Sequence, residues 1–279
     1  MTAAILAVLT AACNALSSVL QRRAARTAPQ SRVFKLALIG YLIRQPSWLG
    51  GIGALIAGFL LQAAALNFGA LALVQPILVT ELPFTMILVS WMFRVRLGRE
   101  SWLAIGILTI GLAVFLVSAD PGQSGTRSPT MDLWLITVVV TVGVAAGLIS
   151  MAKTHSGASR GALLGITSAL GFAFTAALIK ENTKIFAAED AGILTSWAFY
   201  AMIVAGLFSV FVLQSALSSA PLVVVQPTLN IADPVASIVY GVALFGESIR
   251  LGWWVVPELI GVGLIFYGSI LLSRSPLIK

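Results

Sequence analysis

The sequence predicts an all-α polytopic membrane protein of about nine transmembrane helices, or ten if one ambiguous segment also spans, arranged as two inverted-topology repeats around a central cavity. Three observations predict it. Hydrophobic residues make up 59% of the 279 and charged residues only 10%, more apolar content than a soluble domain of this length can bury. These residues fall in runs of about 20, the length that crosses roughly 30 Å of hydrocarbon at about 1.5 Å per residue. A short motif near the start of the third run, Leu73-Val74-Gln75-Pro76, then returns in the eighth as Val224-Val225-Gln226-Pro227.

The nine runs are 1–20, 48–66, 70–93, 101–119, 133–151, 161–180, 192–213, 220–245 and 253–273. A membrane β-barrel would show segments of about ten residues alternating in polarity, and these runs are uniformly apolar. The first lacks a basic leader and is followed by Arg22, Arg23 and Arg26, so it reads as a retained helix rather than a cleaved signal peptide. Cys13, the single cysteine, excludes an internal disulfide framework.

The formal charge of +7 does not call for a nucleic-acid partner, because thirteen of the seventeen basic residues follow runs one, three, five and nine. Only Arg127, Lys180, Lys184 and Arg250 lie in the opposite loops. Basic loops stay cytoplasmic, which predicts a multi-pass protein of the cell (plasma or inner) membrane with its amino terminus outside and its carboxyl terminus inside. The segment 31–45, with Arg32, Lys35 and Arg44, is short for a span and fits an amphipathic helix lying on the cytoplasmic surface, where it would attract anionic lipid.

The repeat carries further than its first four residues. Pro83 and Pro234 each follow seven residues after the first proline, and Leu61-Gln62-Ala63-Ala64 pairs with Leu213-Gln214-Ser215-Ala216. Charge counting sends span three inward and span eight outward, so the copies are antiparallel. Residues 1–120 form the first half. Residues 121–279 form a linker helix and the inverted second half, and the Pro, Gly and Ser-rich stretch 120–130 marks the boundary.

Ionisable groups inside spans are costly and are site candidates by default. Glu81 lies mid-span between Pro76 and Pro83, and Asp233 immediately precedes Pro234. Gln226, Asn230 and Asp233 share one helical face, with Tyr240 a heptad beyond. Each proline removes a backbone donor and frees a carbonyl a turn earlier. Together with Gln75 and Gln62 these residues would line a path for a cation or a proton-coupled polar solute, and Glu81 and Asp233 would be the metal-facing pair if a cation is carried. The competing reading is that the amides join helices and the prolines only kink them. Glu258 reads as an interfacial group that can pair with Arg250. Glu100, Glu181, Glu189, Asp190 and Glu247 read as solvated helix-end or loop charges. The tryptophans sit near span ends as an interfacial belt, and Gly106, Gly111, Gly261 and Gly263 read as close-approach positions.

No phosphate-binding Gly-x-x-x-x-Gly-Lys-Ser/Thr segment occurs, and His155 is the only histidine. Neither an ATP-driven pump nor a His/Cys metal cluster can be assembled from this chain, and no nucleophile and base pair suggests an enzyme or a resident cofactor.

Leu73-Val74-Gln75-Pro76 after Ala65-Leu66-Asn67-Phe68-Gly69, the turn Arg94 to Glu100, Trp102-Leu103-Ala104-Ile105-Gly106, and Phe245-Gly246-Glu247 before Trp253-Trp254 and Gly261 resemble the drug/metabolite transporter (DMT) superfamily. Ser17 to Arg23 and the nine-span layout resemble its EamA and NIPA-like branch. The resemblance implies alternating access around a central cavity, and for the NIPA-like branch magnesium transport. The expectation is a secondary transporter or permease moving a small polar solute or cation. The alternatives are a magnesium permease, a flippase for a lipid-linked sugar, and a non-transporting membrane scaffold. Its partners are the lipid bilayer and a small-molecule or ion substrate, with room for a homodimer.

Overall fold

The computed structural model describes residues 1–26, 45–94, 97–120, 127–188, 196–248, 250 and 252–273. Apart from Gln45, the interfacial segment expected over 31–45 lies outside the described residues, as do residues 121–126 of the half boundary.

Every regular element among the described residues is helical: α1 (Thr2–Arg26), α2 (Pro46–Phe68), α3 (Leu71–Leu78), α4 (Glu81–Phe93), α5 (Arg99–Ala119), α6 (Met131–Thr154), α7 (Gly157–Ala188), α8 (Trp197–Ser219), α9 (Leu222–Phe245) and α10 (Val255–Ser273), the last entered through a 3₁₀ turn at Gly252–Trp254. With α3 and α4 taken as one interrupted segment, nine segments among the described residues are long and apolar enough to cross a membrane. In hydrocarbon each such segment has to satisfy its own backbone, which a helix does. The chain is an all-α, multi-pass membrane protein.

Small residues decide which helices meet. Ala3, Ala7, Ala11 and Ala15 bury one stripe of α1, a spacing of four that stacks them on one face. Against α1 lies α2, whose Gly51 and Gly58 face Gln21 and Asn14. The same device recurs in the second half, where Ala169, Ala173 and Ala177 are buried on α7, Gly171 faces Ser209 of α8, and the Ser168 hydroxyl donates to the Ser209 carbonyl at 2.9 Å. Accordingly α1 packs most heavily on α2, and α7 on α8; α1 also meets α3 and α4, as α7 meets α9. Across the halves α5 pairs with α10. A Cβ on Gly261 would come within 2.7 Å of the Phe115 nitrogen, and one on Gly268 within 2.8 Å of the Leu108 nitrogen; Gly111 opposes Gly261. Gly106 and Gly263, expected to share that role, face open space.

Two further expectations change. Helix α7 runs 32 residues, so Lys180, Glu181 and Lys184 belong to a helix rather than to a loop. Trp134 is not a belt residue. It is 2% exposed and meets Phe174, Trp197 and Phe245 edge-on. Trp91 and Trp253, by contrast, are 77% and 91% exposed near the ends of their helices.

The third span is broken at Val79–Thr80, and Pro83 explains why. A proline at that position offers no N–H to the Val79 carbonyl and crowds it. The Leu82 amide turns to Val79 instead of Leu78, at 3.2 Å, and the Thr80 amide and hydroxyl both take the Ile77 carbonyl, at 3.0 and 2.7 Å. This tightening to i→i+3 bonds interrupts the helix. In the repeat the same proline pair sits inside an unbroken α9. There the position matching Thr80 is Ile231, which has no hydroxyl to compete for the ladder.

Candidate functional site

Glu81 is the first residue of α4 and the eleventh of the 23 in its interrupted span. Asp233 is the twelfth of the 24 residues of α9. Both therefore stand at mid-depth, and both line one cavity of about 440 Å³. The first half contributes Asn14, Gln62, Gln75 and Glu81 to its wall, and the second half Thr175, Gln226, Asn230 and Asp233. Apolar side chains including Phe59, Leu82, Phe172 and Ile179 complete it, and among the described residues no basic side chain lines it.

Partners hold most of these groups in place. Asn14 is the side-chain hydrogen-bond partner of Glu81. The Ser237 hydroxyl lies 3.4 Å from the Asp233 carboxylate and can donate to it. The Asn230 amide donates to the Ser269 hydroxyl of α10 at 2.6 Å and accepts from Gln226 at 3.4 Å. Gln75 differs. It is 3% exposed, yet its amide nitrogen has no hydrogen-bond partner. A buried donor left unmatched costs free energy, and this one belongs to a side chain lining the cavity.

Of the seven residues singled out in the sequence, six therefore meet around one space, and Tyr240 does not. Its ring packs edge-on to Phe174 with centroids 5.7 Å apart, and its hydroxyl bonds the Thr141 hydroxyl of α6 at 2.8 Å. Gln214, the repeat counterpart of Gln62, is exposed on α8. Glu258 does not pair with Arg250, which instead bridges to Asp120 at 2.5 Å.

The main correction concerns Glu247. Rather than being solvated, it forms a buried ion pair with Lys180 at 2.5 Å, with side chains 0% and 1% exposed. Helix α9 ends at Gly246, whose φ of 65° lies in the left-handed region that glycine adopts freely. The turn folds the Glu247 amide back onto the Gly241 carbonyl at 3.1 Å. Gly241 has no side chain to obstruct the carboxylate, which a Cβ there would strike. The carboxylate then accepts the Leu71 and Ala72 amides, at 2.7 and 3.0 Å. These are the first amides of α3, and Ala70 before them offers no side-chain cap. An anion at a helix N-terminus is favoured by both hydrogen bonding and the helix dipole. Lys180 also donates to the Gly69 carbonyl at 3.0 Å. One cluster thus joins the ends of α2 and α9 and the last third of α7 to the start of α3, one turn along α3 from Gln75. Glu181 is likewise buried, at 9% exposed.

What the cavity can do follows from its donors. Two carboxyl groups and a set of carboxamides, with no cation among the described lining residues, complement a polar solute that carries positive charge. Among the described residues no group of three or more His, Cys, Asp or Glu side chains could hold a metal ion, so a divalent cation here would keep most of its water. A larger hollow of about 570 Å³ between α6, α7 and α8 has only Thr141 and Thr167 as polar lining residues, and it offers no comparable chemistry.

No family model matches the chain, and no solved structure matches it. The chain is similar to an uncharacterized protein of Corynebacterium glutamicum, 27% identical over 280 residues that cover 97% of this chain and 96% of that protein.

Proposed function

We propose that this protein is a secondary transporter that moves a small, positively charged polar solute across the cell membrane by alternating access, with Glu81 and Asp233 as the groups that meet the charge. The observation that carries the reading is the mid-depth cavity to which both halves contribute a carboxyl group and carboxamides. Carboxylates at that depth are costly to place in a membrane, and function is their usual justification. The repeated proline motifs and the parallel packing of α1 on α2 and α7 on α8 support two inverted halves, in keeping with the resemblance to the DMT superfamily. The loop charges support an outer amino terminus and a cytoplasmic carboxyl terminus.

A second reading, a magnesium permease, is favoured by the same pair of carboxyls, since a hydrated divalent cation needs few direct protein ligands. An anionic lipid headgroup would find no basic residue among the described residues of the lining.

Reconstitution into liposomes tests the reading. Uptake of radiolabelled organic monocations and diamines, and of magnesium, is measured under an imposed gradient with wild-type protein, Glu81→Gln and Asp233→Asn. Saturable uptake of at least one cation that falls in both variants to the level of protein-free liposomes is expected. Uptake unaffected by either change would refute the assignment.

A further inference from the structure

The chain between Gly69 and Glu81 is held in an unusual way. Helix α3 has eight residues and no N-cap side chain of its own. Its first amides are held by a carboxylate 176 residues away in sequence. At its other end the ladder gives way to i→i+3 bonds at Val79–Thr80. Between these two ends lies Gln75, buried, with an unmatched amide nitrogen, lining the cavity. A short rigid element with a weak joint at one end and a charge-dependent clasp at the other is a two-state element of the kind gates use.

We propose that α3 is the gate of the candidate pathway, an eight-residue lever that turns at Val79–Thr80 and is locked at its free end by the Glu247 carboxylate on its first amides, with Lys180 as the counter-ion. This rests on the transport reading and adds its regulation. Opening lifts the α3 amides from Glu247, draws the Gly69 carbonyl away from Lys180, and swings Gln75 relative to Glu81, which lies beyond the joint. The repeat lacks the joint, since α9 is continuous. The two halves then contribute unequally, with the first carrying the moving part and the second, through Lys180 and Glu247, carrying the lock.

The test uses full-length protein in lipid nanodiscs, with the single native cysteine replaced (Cys13→Ser) and a reporter introduced as Ala72→Cys, a position 1% exposed beside the clasp. The rate of modification by a charged methanethiosulfonate is compared with a control reporter, Thr10→Cys, fully buried on α1. Removing one partner of a buried ion pair strongly favours the open form, so Glu247→Gln is expected to raise the rate at position 72 by about 100-fold while position 10 is unchanged. Glu247→Asp, the milder change, is expected to give an intermediate rate. The exchange Lys180→Glu with Glu247→Lys restores opposite charges but sets an ammonium against the α3 amides, and the reporter should stay fast. An unchanged rate at position 72 overturns the lever, and so does an equal rise at both positions, which would mean general loosening. A slow rate in the exchanged protein overturns it too, because the ion pair alone would then suffice. Since no solute is needed, these outcomes are separable from uptake: a failed lever leaves the transport reading standing, and absent uptake does the reverse.

Discussion

Lys180 and Glu247 show how a charge is kept in a protein interior. The ammonium has a carboxylate and the Gly69 carbonyl, and the carboxylate has the ammonium and two amides. Truncating one partner leaves the other buried and unpaired, at a cost of about 3–5 kcal/mol. Lys180→Met and Glu247→Gln should each lower the thermal midpoint of the detergent-solubilised protein. The double variant should cost less than the two losses combined, a coupling that a double-mutant cycle reads directly. Gly241→Ala should weaken the same clasp sterically, because the added methyl meets the Glu247 carboxylate. None of this was legible in the sequence. Lys180 ends an apolar run and Glu247 follows a Phe-Gly turn, so each reads as a terminal charge, and nothing local relates residues 67 apart. Asn14 was also missed, although a lone amide mid-way along the first run was a visible signal. Glu81 and Asp233 were legible because a carboxyl in the middle of a span is conspicuous by cost alone.

Among the elements, the paired prolines were visible but their different outcomes were not. Pro83 lies in an interrupted span whereas Pro234 lies in a continuous helix, and the position matching Thr80 is Ile231. Pro83→Ala restores a donor for the Val79 carbonyl and should return Leu82 to Leu78. The variant is expected to raise the thermal midpoint while slowing any transport that needs the joint, as measured by uptake in liposomes. Glycine positions sort equally sharply. Gly261→Leu should disrupt the α5–α10 pair and lower stability markedly, whereas Gly106→Leu, facing open space, should change it by no more than about 0.5 kcal/mol. Helical phase predicted the shared face of Gln226, Asn230 and Asp233 correctly. It failed for Tyr240 because Phe174 fills the space one heptad on, so the face continues beyond the cavity.

For the whole molecule, run length was enough to read the nine spans found among the described residues, because lipid leaves the backbone so few alternatives. Which helices touch depended on alanine and glycine stripes that only become specific when a partner's side chains are known. Orientation remains directly measurable. In the Cys13→Ser background, a membrane-impermeant maleimide applied to intact cells is expected to label Ser128→Cys, between α5 and α6, and to leave Ser156→Cys, between α6 and α7, unlabelled until the membrane is breached. The reverse pattern would invert the topology and place the Lys180–Glu247 end in the cytoplasm.

The clasp also constrains biogenesis. The start of α3 is synthesised 176 residues before Glu247, and Lys180 is synthesised 67 residues before it. At roughly 5–20 residues per second, Lys180 waits about 3–13 s for its counter-ion while its helix is already due to enter the bilayer. Until then it is a positive charge near the end of an inserting segment, the kind of charge that insertion machinery reads as topological information. Once Glu247 arrives that charge is cancelled and withdrawn from the surface. The nascent chain and the finished protein thus present different charge patterns to the membrane, and assembly at this end can finish only after α9 has been made.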